Sequence, residues 1–131
     1  MLKKLLPAFL LLLFALPAPL HAEQHLAWNG REFKGWICDG HELKPKSGAN
    51  SANTWIFNGR EIKPKSGATS VNTWIFDGRE LKPKSVSTSA NTWIIEGNHA
   101  KPKSDANSRN TWNVGSAPIL VIAGALVLHL Y

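Results

Sequence analysis

The stretch Thr54-Trp55-Ile56-Phe57-Asn58-Gly59-Arg60-Glu61-Ile62-Lys63 sets two β-prone runs on either side of Asn-Gly, a pair that accepts the positive φ angles of a tight hairpin turn. Pro64 removes a ladder donor and ends the second strand. Residues 65–72, rich in Ser, Gly and Thr, read as a connecting loop. With a two-residue turn at Asn58-Gly59, Phe57 lies opposite Arg60, Ile56 opposite Glu61 and Trp55 opposite Ile62. That register places Trp55, Phe57 and Ile62 on one face, the expected core, and Thr54, Ile56, Glu61 and Lys63 on the other. The aliphatic parts of Glu and Lys can cover Ile56 there. A three-residue bulged turn would shift the register by one.

The same unit recurs along the chain. Asn53–Val71, Asn72–Ala90 and Asn91–Arg109 are consecutive copies of 19 residues, each opening Asn-Thr-Trp, and a fourth starts at Asn110 and stops after Trp112. Upstream, Lys34–Ala52 is a variant copy, and Leu26–Lys34 a shortened one that lacks the long loop. Turn glycines recur at Asn29-Gly30, Asp39-Gly40, Asp77-Gly78 and Glu96-Gly97, and strand-ending prolines at Pro45, Pro83 and Pro102. The core face is continued by Trp36, Cys38 and Leu43; by Trp74, Phe76 and Leu81; by Trp93, Ile95 and Ala100; and by Leu26, Trp28 and Phe33. Repetition on this period outranks any local signal for fold.

Hairpins this short are unstable singly, so they associate side by side, and closure into a ring removes exposed edges. Five turns predict five hairpins, with Thr111–Val114 as an orphan strand that pairs with the first and completes the circle. The last segment, Pro118–Tyr131, is apolar on every side apart from His129. As a helix starting at Pro118, with Ser116 nearby to help cap, it would be about 21 Å long, close to the roughly 20 Å height of a six-residue strand. A helix apolar all round has to be buried all round, so the segment reads as a plug threaded through the ring, with Gly124 letting strands approach. A membrane contact and a strand pair are the competing readings, the latter because Val121, Ile122 and Val127 are β-branched. The expected fold is therefore all-β with one helix, a closed ring or barrel of antiparallel hairpins around a C-terminal hydrophobic plug.

The chain of 131 residues has room for one small domain and excludes a multidomain enzyme. Its start reads as an export leader: Lys3 and Lys4, then the apolar run Leu5–Leu16, then a Pro-containing stretch ending at the small residue Ala22. Twelve apolar residues fall short of the roughly 20 that span a bilayer as a helix. The expected division is residues 1–22 as a cleaved signal peptide, 23–117 as the repeat domain and 118–131 as the helix packed within it. Export implies the periplasm or the cell envelope. Cys38 is the only cysteine, so no internal disulfide is expected and stability has to come from packing. Without Lys3 and Lys4, 13 basic residues face 9 acidic ones, a net charge of +4.

The run Asn29-Gly30-Arg31-Glu32-Phe33-Lys34-Gly35-Trp36-Ile37-Cys38-Asp39-Gly40, with turn glycines and a Gly-aromatic-Ile link between hairpins, resembles the bacterial β-flower repeats. The resemblance covers Leu26–Trp112 and is similar in plan to Tubby-like barrels. It implies hairpins radiating around an axis with a hydrophobic helix inside, and an association with lipid. It brings no catalytic residues.

Lys44-Pro45-Lys46, Lys63-Pro64-Lys65, Lys82-Pro83-Lys84 and Lys101-Pro102-Lys103 recur at the repeat spacing. In a ring the eight lysines form a collar at one level, suited to an anionic lipid or another anionic envelope polymer. The plain alternative is a solvated loop, partly neutralised by Glu42, Glu61 and Glu80. Trp36, Trp55, Trp74 and Trp93 suit carbohydrate stacking in a lectin-like module, although periodic placement on the core face favours packing. No nucleic acid is expected as a partner of an exported protein. His25, His41, His99 and His129 show neither a common register nor a ligand spacing, so no metal or cofactor is implied. Cys38 holds the position of Phe57, Phe76 and Ile95, as a small buried hydrophobe would. Catalysis needs unlike groups converging once, whereas this chain repeats like groups several times, so no enzymatic activity is expected.

Overall fold

The computed structural model describes residues 24–131, and the expected leader lies outside them. Eleven strands form one sheet: Gln24–His25 (β1), Glu32–Phe33 (β2), Trp36–Asp39 (β3), Glu42–Pro45 (β4), Trp55–Phe57 (β5), Glu61–Pro64 (β6), Trp74–Phe76 (β7), Glu80–Pro83 (β8), Trp93–Glu96 (β9), His99–Pro102 (β10) and Trp112–Asn113 (β11). One α-helix, Ile119–Leu126 (α1), follows. The spatial order β1-β11-β10-β9-β8-β7-β6-β5-β4-β3-β2 is antiparallel throughout except for the parallel pair β1 and β11. Four full hairpins result, β3-β4, β5-β6, β7-β8 and β9-β10.

The sheet is not closed, contrary to the expected ring or barrel. The orphan strand does pair with the start of the chain, through Gln24 opposite Trp112 and Leu26 N–H donating to Asn113 O at 3.0 Å. Residues 27–30 then leave the ladder, so no strand pairing joins β1 to β2 and the first copy makes no hairpin. Side chains cover that gap: Leu26 and Trp28 pack on the core, and Trp28 meets Phe33 edge to face at 5.6 Å. Geometry nevertheless forces a deep curl. Eleven strands laid flat would span about 48 Å, whereas the two edges are tied by a connection that reaches about 24 Å at most.

Side-chain alternation agrees with the sequence, but the turn does not. Phe57 pairs with Ile62, Ile56 with Lys63 and Trp55 with Pro64. Thus Gly59 and Arg60, not Asn58 and Gly59, are the two central residues. Glycine comes first of the pair at φ +98°, as in the hairpin turn that admits glycine there. The cause lies in Asn58, whose Oδ1 accepts from Arg60 N–H at 3.0 Å and from Glu61 N–H at 2.7 Å. Asp77 does the same for Arg79 and Glu80. The pairing is offset by two residues from the expected one, and because side chains alternate with period two, every residue keeps its face.

That offset also sets the shape. Phe57, Ile62, Trp74 and Pro83 form one row across β5 to β8, and Cys38, Leu43, Trp55 and Pro64 form the preceding row. Each hairpin therefore advances by two residues relative to the last, the stagger that lets a sheet curl about an axis.

The helix fills the concavity. Leu120, Val121, Ile122, Ala123, Gly124 and Leu126 are buried on all sides of α1, so packing overrides the weak helix propensity of Val and Ile. Leu120, Val121 and Ala123 share a cluster with Phe33, Cys38, Leu43, Ile62 and Leu81. Ile122 and Leu126 meet Ala100 and Val114 on the other side. The helix is shorter than the segment Pro118–Tyr131, because the chain turns back after Val127. Leu128 N–H donates to Ala123 O, Leu130 N–H donates to Gly124 O, and His129 takes φ +52°. Pro118 sits just before the first helical residue, without a side-chain cap from Ser116.

Folding back carries Tyr131 over Gly124. Its ring packs edge to face on Phe33 at 4.2 Å, and its hydroxyl donates to Val121 O. Burial holds this phenol well above the usual tyrosine range. Gly124 therefore accommodates Tyr131 and not a strand: a Cβ there would lie 2.8 Å from Tyr131 Cζ. Gly124→Ala is expected to destabilise the protein by about 1–3 kcal/mol through overpacking, measured by denaturant unfolding. In a Tyr131→Ala background the same change should be neutral or favourable, since alanine is the better helix former.

Candidate functional site

The outer face is built from rows that cross three strands, carboxylate then isoleucine then lysine: Glu32–Ile37–Lys44, Glu42–Ile56–Lys63, Glu61–Ile75–Lys82 and Glu80–Ile94–Lys101. Ile75 and Ile94 are 7% and 6% exposed although they face away from the core. Flanking Glu and Lys stems cover them, as the pattern of the sequence implied.

The charged ends interlock from copy to copy. Glu42 meets Lys44 at 3.7 Å and, from the next copy, Lys65 at 2.8 Å. Glu61 meets Lys63 at 3.2 Å and Lys84 at 2.8 Å, and Glu80 meets Lys82 at 3.5 Å and Lys103 at 2.8 Å. Glu32 takes Lys46 at 2.7 Å. Six of the eight lysines thus meet in pairs on a shared carboxylate, and seven of the eight lie beside a carboxylate. Lys101 alone among them has no ion pair among the described residues, because His99 stands where the other copies have Glu. Bridging by two ammonium groups, led by the hydrogen bond from the next copy's lysine, lowers the carboxyl pKa of Glu42, Glu61 and Glu80.

The tryptophans lie on the opposite, inner face. Trp36, Trp55, Trp74 and Trp93 are half-buried and pack on the core cluster around α1. Trp55 lies between Leu43 and Pro64, Trp74 between Ile62 and Pro83, and Trp93 between Leu81 and Pro102. Cys38 is buried in the same cluster, where desolvation first and Asp39 second push its thiol up, away from a reactive thiolate. Among the described residues, no three His, Cys, Asp or Glu side chains are grouped to hold a metal ion. No helix among them is long and apolar enough to cross a membrane.

Sequence reasoning missed what shapes the long loops from which the second lysine of each Lys-Pro-Lys springs. Asn53, Asn72, Asn91 and Asn110 each clamp their own loop: Nδ2 donates to the carbonyl five residues back, at 3.0–3.1 Å. Each Oδ1 accepts the N–H three residues back, at 2.7–2.8 Å. The adjoining Thr54, Thr73, Thr92 and Thr111 donate Oγ1–H to the carbonyl four residues back. The signal was present in the Asn-Thr that opens each copy from Asn53 onward, polar residues held constant where a loop could vary.

The carbonyl accepting from Asn belongs to a residue in the left-handed region: Gly48 at φ +73°, Gly67 at +77°, Val86 at +58° and Asp105 at +59°. A β-branched residue is poorly suited to that position, and Val86 buries nothing in exchange, being 83% exposed.

No protein-family model matches the chain, and no curated protein or solved structure matches it significantly.

Val86→Gly is expected to raise stability by about 1 kcal/mol, read as a higher denaturation midpoint. Acid should act in the opposite direction. A carboxyl whose folded pKa is depressed contributes stability that is present above its unfolded pKa and lost as pH falls through the folded value. Thermal midpoints should thus be level above about pH 5 and fall below about pH 4. Replacing Glu61 and Glu80 by Gln should flatten that fall.

Proposed function

We propose that this chain is a non-catalytic cell-envelope module that contacts an anionic lipid or polymer through its lysine collar. The observation that carries the reading is the charge distribution. The four rows and their loops hold eight lysines against Glu32, Glu42, Glu61 and Glu80. Elsewhere in residues 23–131 five basic and five acidic residues cancel. The net charge of +4 therefore belongs to the collar. Pairing with glutamate organises the ammonium groups and neutralises them only in part, since Glu42, Glu61 and Glu80 each face two lysines. Solvent-screened surface pairs contribute little to stability, so an anionic surface can exchange with them at small loss.

The export leader read from residues 1–22 supports an envelope location for this role. Short hairpins about a hydrophobic helix are the plan that kinship with the β-flower proteins implies, and that kinship is part of the proposal. Carbohydrate stacking on the tryptophans has less support, because their rings contribute to the packing around α1.

Binding to vesicles containing an anionic phospholipid should fall steeply with added salt. Replacing Lys63, Lys65, Lys82 and Lys84 together by Gln should weaken it at least about tenfold, at roughly 1 kcal/mol per lysine near the surface. Binding that ignores both changes, with tryptophan fluorescence shifting on neutral glycans, would establish the lectin-like alternative instead.

A further inference from the structure

The repeat departs from itself at the open end of one hairpin, β7-β8, on the rim opposite the turns. Trp74 pairs with Pro83 there, and Lys84 N–H donates to Thr73 O at 2.9 Å. Farther out, the hairpins on either side show how the loops stay together: Ser66 N–H donates to Ser51 O at 3.1 Å, and Ser104 Oγ to Ser89 O at 3.2 Å. The equivalent residues in β7-β8 are Ser85 and Ser70, the chain neighbours of Val86 and Val71. Repeat geometry thus sets the two valines side by side at the tip. Val71 is 81% and Val86 83% exposed, and no other large hydrophobic side chain among the described residues is exposed. The same two positions hold Ala52 and Gly67 in β5-β6, and Ala90 and Asp105 in β9-β10.

We propose that Val71 and Val86 form an apolar tip that enters the surface of an anionic phospholipid bilayer while the lysines beside it hold the headgroups. The inference rests on the collar reading and narrows its ligand to a lipid. Charge on the tip is complementary to such a surface: residues 62–76 and 81–95 contain Lys63, Lys65, Lys82 and Lys84 and no Asp or Glu. The carboxylates that meet these lysines, Glu42, Glu61 and Glu80, stand on strands and not in the two loops. Val86 also takes a left-handed φ of +58° at the position where Gly48 and Gly67 hold +73° and +77°. That conformation suits a β-branched residue poorly, and a side chain so exposed recovers nothing from packing inside the protein. Contact outside the protein supplies the missing gain. A protein partner fits this tip less well, because two valines cover little of the roughly 800 Å² that each side of a stable interface buries. A bilayer admits single apolar side chains, each adding to the electrostatic attraction.

The test uses the protein isolated from its own host, so that its N-terminus is the natural one. Binding is measured to vesicles of phosphatidylcholine with phosphatidylglycerol and, separately, to dextran sulfate, an anionic polymer without an apolar interior. Val71→Ser combined with Val86→Ser should weaken vesicle binding at least about tenfold and leave dextran sulfate binding within about twofold. Val71→Leu combined with Val86→Leu should tighten vesicle binding about three- to tenfold. Spin-labelled lipid should broaden the amide signals of residues 70–72 and 85–87 more than those of the hairpin turns. Near-UV circular dichroism checks that each variant is folded. Vesicle binding absent or indifferent to both valine pairs, an equal loss on dextran sulfate, or broadening centred elsewhere would overturn the tip. A dimer dissolved by the serine pair, with vesicle binding unchanged, would assign the valines to a second copy of the chain instead. Failure of the collar reading is distinct: binding to vesicles and to dextran sulfate would then both ignore salt and the lysine replacements, whereas failure of the tip alone leaves both salt-dependent.

Discussion

Leu43, Ile62 and Leu81 are wholly excluded from solvent because one short helix lies across them, and the helix exists because they surround it. Neither partner is stable alone. Eight residues are too few to hold a helix in water, and strands of two to four residues are too short to hold a sheet without a covered face. With no disulfide available from a single cysteine, the mutual burial of α1 and the inner face is the contact on which the fold depends. Hairpin stagger, the tie between the sheet edges and the fold-back of Tyr131 all serve to surround that helix.

Periodicity made most of this architecture legible before any coordinates. Trp55, Phe57 and Ile62 fall on the inner face as expected, because an error of two residues in pairing leaves alternation intact. The turn itself was misplaced for a chemical reason that a dipeptide rule does not contain: Asn58 and Asp77 act through side-chain oxygens that capture two backbone N–H groups, which moves glycine to the first central position. The first copy failed as a hairpin because a parallel partner was available. Gln24 and His25 take the free edge of β11, which antiparallel logic does not anticipate. Composition likewise assigned Tyr131 to a continuous helix, whereas His129 in the left-handed region reverses the chain.

The candidate site was legible in part. The lysine positions followed from spacing, but their pairing did not, because Glu61 reaches forward to Lys84 of the next copy as well as to its own Lys63. Cross-copy contacts depend on stagger, and stagger is a property of the assembled sheet. The asparagine clamps stayed hidden for a related reason: Ser-, Gly- and Thr-rich loops read as flexible by composition, while a carboxamide with both ends satisfied gives each loop a fixed shape.

A sheet curled around a single helix also acts as a gauge of copy number. In open-ended solenoids another unit lengthens the stack and leaves its neighbours unaltered. Here each added hairpin would widen the circumference by about 9.6 Å, while α1 would keep its girth. Extra copies would leave a void along the axis, and fewer would squeeze the helix out. Duplication of this 19-residue segment in the course of evolution would thus be checked by the diameter of the helix, unless the plug thickened in step.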